Sequence, residues 1–472
     1  MKKIFFTTLL FSLAASPAFA ISIDWSGGYR IEYTEIEKPT LGSPTGRKAY
    51  GQHLLYLTPT IVPADGFLIN ARFDLLANDN PAYQNSQMGM FFGDSYTPNN
   101  QNGEGASNRQ NMGSTPMQVS QVYLTHTDEN ATFKVGRMPY GFGLGMTHSE
   151  GKGMFDHWYD SIDMLSYRFH IGNVYINPMF GQMHQTGAGL ANKYQVQMLE
   201  MMYDSEDTGS QIGVLFERKN ASTTIVATDP TGPAAFYGGN AVSDYSLEQT
   251  SFILGREWPT FSFKIEGGFQ KGSTGVSVAG SGIPIHINSY GIANEISYHA
   301  EESKWKWDLR SGVASGDDPA STDFEGFMFD RNYDVAFLLF NQRLGDPNTD
   351  FFRTNLIKDR TTTGFYLAAD DETISNATYV SPRITYAWSD KLDLVNTFTY
   401  ATLMNKFNST VDMSKDLGIE WDIELVYKPR ERVRWVNQVG WLFPGEAWRA
   451  GPTNNFSNDS TYGFSSKAAI SF

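Results

Sequence analysis

The feature that most constrains this chain is a repeated alternation of apolar and polar residues over short segments. Such segments, about ten residues long, are typical of strands in a transmembrane β-barrel, where one face meets lipid and the other meets a polar lumen. In 418–427 one face carries Ile419, Trp421, Ile423, Leu425 and Tyr427, and the other carries Glu420, Asp422 and Glu424.

Eighteen segments of this kind are found along the chain, each predicted as a strand with bounds that can shift by about two to four residues. They are 22–34, 47–61, 66–77, 117–128, 130–138, 161–171, 173–184, 192–205, 209–219, 246–257, 259–271, 283–299, 303–313, 374–388, 391–404, 415–428, 431–443 and 460–472.

The connections between these segments alternate between short and long. The short ones are 63–66, 128–130, 171–173, 205–209, 257–259, 300–303, 389–391 and 428–431. The longest of the others are 78–116, 139–160, 220–245, 314–373 and 444–459. Outer-membrane barrels show this alternation because their periplasmic turns are tight and their external loops are long.

The predicted fold class is therefore all-β: a transmembrane antiparallel barrel of about 18 strands, with 16 or 20 as alternatives because 314–373 is long enough to hide a hairpin. An even count puts both termini on the periplasmic side. The last segment ends in Phe472 with an alternating apolar face, a pattern that resembles the signal read by the outer-membrane assembly machinery.

The N-terminus has the three parts of a secretory signal peptide. Lys2 and Lys3 precede an apolar stretch at 4–15, and the residues at 16–20 supply an A-x-A cleavage site. We therefore predict a signal peptide at 1–20 and a single barrel domain at 21–472. After Ala20 no apolar run approaches the roughly 20 residues of a membrane-spanning helix.

Composition narrows the possible partners. The chain has no cysteine, so its fold does not depend on disulfides. Its net charge of −15 becomes −17 once Lys2 and Lys3 are removed, since 1–20 contain no acid. Such an acidic protein is a poor partner for nucleic acid, and it disfavours anions unless basic groups are concentrated locally.

Charged residues on the polar faces of the strands are expected to point into the lumen, because an Arg or Lys facing lipid at the midplane costs about 2–4 kcal/mol. Such a lumen holds water, since barrels of about 16–18 strands leave an aqueous channel. Carboxylates there favour cations. Opposed acidic and basic groups could also set up a transverse field across the pore, which orders water and favours polar solutes. The alternative is that neighbouring acidic and basic ladders neutralise each other. The predicted pore-lining residues are Arg137, Lys304, Lys306, Arg310, Glu420, Asp422, Glu424, Arg432 and Arg434.

The connection 314–373 contains an apolar run, 335–340, that is unlike a solvated loop. One interpretation is that it folds into the barrel mouth, with Phe337, Leu338 and Phe340 forming a constriction. The other is that it packs on the barrel wall above the membrane.

The sequence carries few signs of enzymatic chemistry. No nucleophile elbow, metalloprotease motif or complete phosphate loop is present, and we predict no catalytic residue, metal site or cofactor. His148 and His157, close to Asp156 and Asp160, are the best candidates for a site at the rim.

Two stretches resemble the bacterial alginate-export family of outer-membrane barrels. One is VASGDDP at 313–319, followed by Phe329 and Asp330; the other is VGR at 135–137, followed by Gly141, Gly143 and Gly145. The resemblance implies 18 strands, a long external loop after Gly316 and passage of a polysaccharide through an arginine-rich lumen. The acidic ladders of this chain depart from that pattern.

Only Arg137 and the loop containing Asp317 and Asp318 carry over from the family. Alternation puts Arg137 on the face of Phe133 and Val135, so it reaches the lumen only at a strand end or past a bulge.

These observations together predict a bacterial outer-membrane porin through which small polar solutes, saccharides among them, diffuse passively. The first alternative is a structural or adhesive barrel with a plugged lumen. The second, which the sequence favours less, is an enzyme at the rim. The expected partners are outer-membrane lipid, small polar solutes and the assembly machinery, with a homo-oligomer left open and no nucleic acid.

Overall fold

The fold is taken from a computed structural model of the chain. It describes residues 22–42, 46–75, 89–94, 117–183, 195–221, 245–277, 284–318, 320–342, 344–345, 373–406, 412–450 and 456–472. The predicted signal peptide at 1–20 lies outside these residues.

Twenty-one strand segments, labelled β1 to β21 in chain order, form one antiparallel sheet in the described part of the chain. Their bounds are Ser22–Asp24 (β1), Gly27–Glu37 (β2), Arg47–Leu57 (β3), Thr60–Ala64 (β4), Phe67–Leu75 (β5), Gly89–Asp94 (β6), Gln118–Thr127 (β7), Ala131–Pro139 (β8), Ser161–Ile171 (β9), Val174–Met183 (β10), Gln195–Ser205 (β11), Ser210–Ala221 (β12), Tyr245–Glu257 (β13), Phe261–Ser277 (β14), Pro284–Tyr298 (β15), Trp305–Ala314 (β16), Ala377–Ser389 (β17), Leu392–Leu403 (β18), Asp416–Arg430 (β19), Val433–Pro444 (β20) and Thr461–Ser471 (β21).

These segments occupy eighteen strand positions around a closed barrel. β1 and β2 form one interrupted strand, β3 and β4 a second, and β5 and β6 lie one after the other along the same edge of β3. The barrel closes where β2 pairs with β21, from Gly28 opposite Ser471 to Ile36 opposite Gly463. The prediction of an 18-stranded antiparallel barrel is confirmed.

The two faces of the strands differ as the alternation predicts. On β19, Ile419, Trp421 and Leu425 are exposed on the outside of the barrel, whereas Glu420 and Asp422 are buried inside it. A barrel with apolar residues outside and charged residues inside satisfies the hydrogen bonds of its own backbone and can face hydrocarbon.

Aromatic side chains gather on the outer face beside the short turns. Rings at this level match the girdle that outer-membrane barrels place at the membrane interface. They include Trp25, Trp258, Phe261, Tyr298, Trp305, Trp388, Tyr427, Trp435 and Phe472.

Among the described residues, the largest apolar core lies inside the barrel, because loop residues on the long-connection side pack there. It joins Phe327, Phe329 and the residues 335–340 to wall residues such as Ala377 and Leu442. Within the described residues, no helix has the length and hydropathy needed to cross a membrane.

We expect the mature chain to insert into bilayers as a heat-modifiable β-barrel, because closure between β2 and β21 leaves no free sheet edge there. Unheated samples should migrate differently from boiled ones in SDS gels, and circular dichroism should show mainly β-structure. A spectrum dominated by helix would contradict this.

Candidate functional site

The connection between β8 and β9, residues 140–160, folds into the lumen and crosses it; we call it the crossing loop. One part of it binds Glu217 on β12 and Glu266 on β14, and its far end binds Arg30 and Glu32 on β2. β12 and β2 lie eight positions apart in a circuit of eighteen, so the loop joins nearly opposite walls.

Glu266 holds the near part of the crossing loop. Its carboxylate accepts backbone N–H bonds from Leu144 at 2.6 Å, Met146 at 3.2 Å and Thr147 at 3.0 Å, and a hydroxyl bond from Thr147 at 2.7 Å. Gly143 makes this approach possible: its φ is +59°, and a Cβ there would lie 2.6 Å from Glu266 Oε2. Gly143, in the glycine-rich sequence after Arg137, therefore serves the contact between loop and wall.

His148 forms a second attachment of the crossing loop. Its Nδ1 lies 2.8 Å from Asp160 Oδ2 and its Nε2 lies 3.3 Å from Glu217 Oε2. Burial favours the neutral ring, but the carboxylates of Glu217 and Asp160 outweigh it and raise the pKa of His148 to about 10. The side chain is thus an imidazolium that links loop to wall.

The far end of the crossing loop is attached to β2 by two further contacts. Arg30 Nη1 donates to the carbonyl of Met154 at 3.3 Å, and His157 Nε2 lies 2.9 Å from Glu32 Oε2. Both rim histidines singled out in the sequence therefore contact wall carboxylates.

A second inward segment follows β16, and its described part at 320–342 is called the capping loop. Glu420 accepts the backbone N–H groups of Leu338 and Leu339, each at 2.6 Å, and Asp422 accepts that of Phe337 at 3.1 Å. The side chain of Lys48 on β3 donates to Gln342 at 2.8 Å. The apolar run thus lies inside the barrel.

The two loops contact each other within the lumen. Asn332 of the capping loop accepts from the Trp158 backbone N–H at 3.1 Å and donates to the Trp158 carbonyl at 2.8 Å. The Asp330 backbone N–H donates to the carbonyl of Met146 at 2.7 Å. The crossing and capping loops therefore form one layer that covers part of the lumen.

A polar chamber lies between this layer and the short-turn end of the barrel. It is a cavity of about 470 Å³, and a second cavity of about 260 Å³ adjoins it beneath the capping loop. Four ion pairs line the larger one. They are Lys306–Asp308 at 2.9 Å, Arg310–Glu295 at 3.5 Å, Arg383–Glu424 at 3.4 Å and Lys428–Asp393 at 2.5 Å.

Arg434 also lines the larger cavity, and it has no ion-pair partner in the described part of the chain. The chamber wall is thus close to charge balance although the whole chain is strongly acidic.

The predicted pore-lining residues divide into three groups. Lys306, Arg310, Glu424 and Arg434 lie on the chamber wall. Glu420 and Asp422 also point inward, but the capping loop covers them and both accept its backbone N–H groups; Asp422 lines the smaller cavity as well.

The third group comprises Arg137, Lys304 and Arg432. Arg137 stays on the outer face because β8 and β9 keep an unbroken register through it, which pairs it with Asp163; the two form a bidentate ion pair at 2.6 and 3.0 Å. This placement corrects the sequence prediction. Lys304 and Arg432 lie in short turns, one residue before β16 and β20 begin, and their role in lining the pore stays a prediction.

The predicted constriction residues are all deeply buried in the lumen. Phe337 lines the smaller cavity. Leu338 and Phe340 pack in the apolar core with Ile374 and Trp448. Their role as a constriction stays a prediction.

The sequence reasoning missed several chamber residues. Glu295, Arg383, Asp393 and Lys428 occupy inward positions on β15, β17, β18 and β19. The alternation along those strands is sufficient to predict that these four side chains point into the lumen. Phe155 also lines both cavities, but it comes from the crossing loop, where no periodicity marks its direction.

Comparison with known proteins places the fold. No family model matches the chain, and no curated protein matches it significantly. Among solved structures it is similar to a BenF-like porin from Pseudomonas fluorescens Pf-5, with TM-score 0.50, 10% identity, and coverage of 96% of this chain and 98% of that one. It is also similar to OpdQ of Pseudomonas aeruginosa, with TM-score 0.50, 8% identity and coverage of 95% and 98%.

These likenesses show that the chain has the fold of bacterial outer-membrane porins. Together with the apolar outer face, that fold places the barrel in the bacterial outer membrane.

We expect Glu266→Gln to loosen the crossing loop. The amide replaces one acceptor oxygen with a donor that faces N–H groups, and each hydrogen bond to a charged acceptor stabilises by about 1.5–3 kcal/mol. Current through single barrels should become larger and noisier. Glu248→Gln, at an exposed position on the neighbouring β13, is the matched control. Equal traces for both variants would show that Glu266 does not hold the loop.

We also expect the contact between the loops to weaken as pH rises. Burial and the nearby Asp160 carboxylate raise the pKa of Asp330 to about 7, above the value of about 4 for an exposed Asp. Asp330 therefore binds its proton more tightly when the loops are in contact than when they are apart. The contact loses stability as the pH rises between these two values. Conductance noise should increase from about pH 4 to about pH 7, and Asp330→Asn should remove that increase. A pH response that persists in Asp330→Asn would contradict this.

Proposed function

We propose that the protein is an outer-membrane porin that lets small polar solutes diffuse passively. The observation that carries the proposal is the chamber: a cavity of about 470 Å³ whose wall is lined by charged side chains. A cavity of this kind inside a barrel that faces lipid offers a solute hydrogen-bond donors and acceptors in place of water.

Saccharides are the solutes we favour. Paired Arg and carboxylate groups, such as Arg383 and Glu424, present both donors and acceptors at fixed positions, as a ring of hydroxyl groups requires. The resemblance to the alginate-export family points to the same class. The Ser-Gly-Asp element that carries this resemblance begins the loop after β16. There the Ser315 hydroxyl donates to the Glu325 carbonyl at 2.6 Å. Gly316 lies so close to Asn376 that no Cβ would fit.

A barrel with a plugged lumen is the second candidate, and the layer formed by the crossing and capping loops favours it. In that case the polar chamber would be closed from outside, and the external loops would carry a structural or adhesive role. A homo-oligomer is compatible with either function and stays a prediction.

We further propose that the barrel is not an enzyme. His148 and His157, the best rim candidates, are each bound to wall carboxylates that hold the crossing loop. Substituting either should alter loop behaviour rather than abolish a turnover.

Planar-bilayer recording of the purified protein tests the proposal. We expect discrete conductance steps, and liposomes that contain the protein should swell in small sugars faster than protein-free liposomes. Barrels that are heat-modifiable but never conduct would support the plugged alternative and overturn the porin.

A further inference from the structure

Phe155 sits at the end of the crossing loop and is held in place from both sides. On one side the Met154 carbonyl is bound by Arg30, and on the other His157 contacts Glu32. The Gly153 backbone N–H also donates to the Asp156 carboxylate at 2.7 Å, which closes a tight turn at 153–156. The position of Phe155 is therefore fixed relative to β2.

The two cavities meet at this ring. Their linings share Phe155, Arg310, Arg383, Glu424 and Val436. The last four are wall residues on β16, β17, β19 and β20, whereas Phe155 alone in this shared set comes from a loop. The junction between the cavities therefore lies between the ring of Phe155 and this part of the wall.

The two arginines opposite Phe155 are held by polar contacts. Arg310 donates to the Asp334 carbonyl at 2.8 Å and pairs with Glu295, and Arg383 pairs with Glu424. Neither arginine can swing aside without breaking a hydrogen bond or an ion pair. The width of the junction then depends on Phe155, the one loop side chain among the five shared lining residues.

We propose that Phe155 sets the size limit of the passage, as the residue that determines which polar solutes pass from the smaller cavity into the chamber. The inference rests on the proposed porin function and assigns its selectivity filter to the crossing loop rather than to the apolar run at 335–340. Solutes that fit between a flat ring and a fixed row of charges are compact and polar on one side.

The chain has no cysteine, so a single introduced thiol can be modified after the barrel has assembled. The experiment compares wild type, Phe155→Ala, Phe155→Trp and Phe155→Cys in planar bilayers and in liposome swelling with sugars of increasing size. Phe324, a half-buried loop phenylalanine that lines neither cavity, supplies the matched controls Phe324→Ala and Phe324→Cys.

We expect conductance to rise in Phe155→Ala and fall in Phe155→Trp, and the sugar size cut-off to follow the same order. A bulky neutral thiol reagent should remove most of the current through Phe155→Cys and leave Phe324→Cys unchanged. If wild type conducts and the Phe155 variants match the Phe324 controls, the filter assignment is overturned while the porin function stands. If wild type does not conduct, the porin function fails and the filter fails with it.

Discussion

The structure depends on buried wall carboxylates that accept backbone N–H groups from loops folded into the lumen. Glu266 receives three such N–H groups, and Glu420 and Asp422 together receive three more. A loop inside a barrel leaves donors without water, and a buried carboxylate lacks its own hydration. The loop N–H groups and the wall carboxylates therefore satisfy each other's hydrogen bonds. These bonds hold two long connections inside the lumen, in space that water would otherwise fill.

This use of acidic residues explains why the net charge of the chain is a poor guide to its lumen. Carboxylates such as Glu420 accept hydrogen bonds from loop amides, and others such as Glu424 form ion pairs with arginines of the wall. What remains towards the chamber is a nearly balanced wall to which Arg434 adds a positive charge. Charge counted along a sequence does not distinguish an acid that anchors a loop from one that faces a solute.

The strands were predictable because their pattern has a period of two and repeats. The faces of β19, the count of eighteen and the direction of Lys306 and Arg310 all follow from alternation. The same rule predicts Arg137 on the outer face, and its assignment to the lumen required a bulge that β8 does not contain. Lys304 and Arg432 lie one residue outside β16 and β20, where alternation no longer determines the direction of a side chain.

The paths of the loops were not predictable in the same way. The direction of Phe155 and the partners of Glu266 are set by contacts between residues more than a hundred positions apart, and no local period encodes them. Only indirect signs existed, such as Gly143, which permits a close approach to the wall.

If wall carboxylates hold both loops inside the lumen, the loop amides that they bind are protected from solvent. Amide hydrogen exchange of the membrane-inserted protein tests it directly at Leu144, Thr147, Leu338 and Leu339, whose N–H groups bind Glu266 and Glu420. We expect these loop amides to exchange as slowly as amides of the neighbouring strands. Exchange at the rate of unprotected loop amides would contradict it.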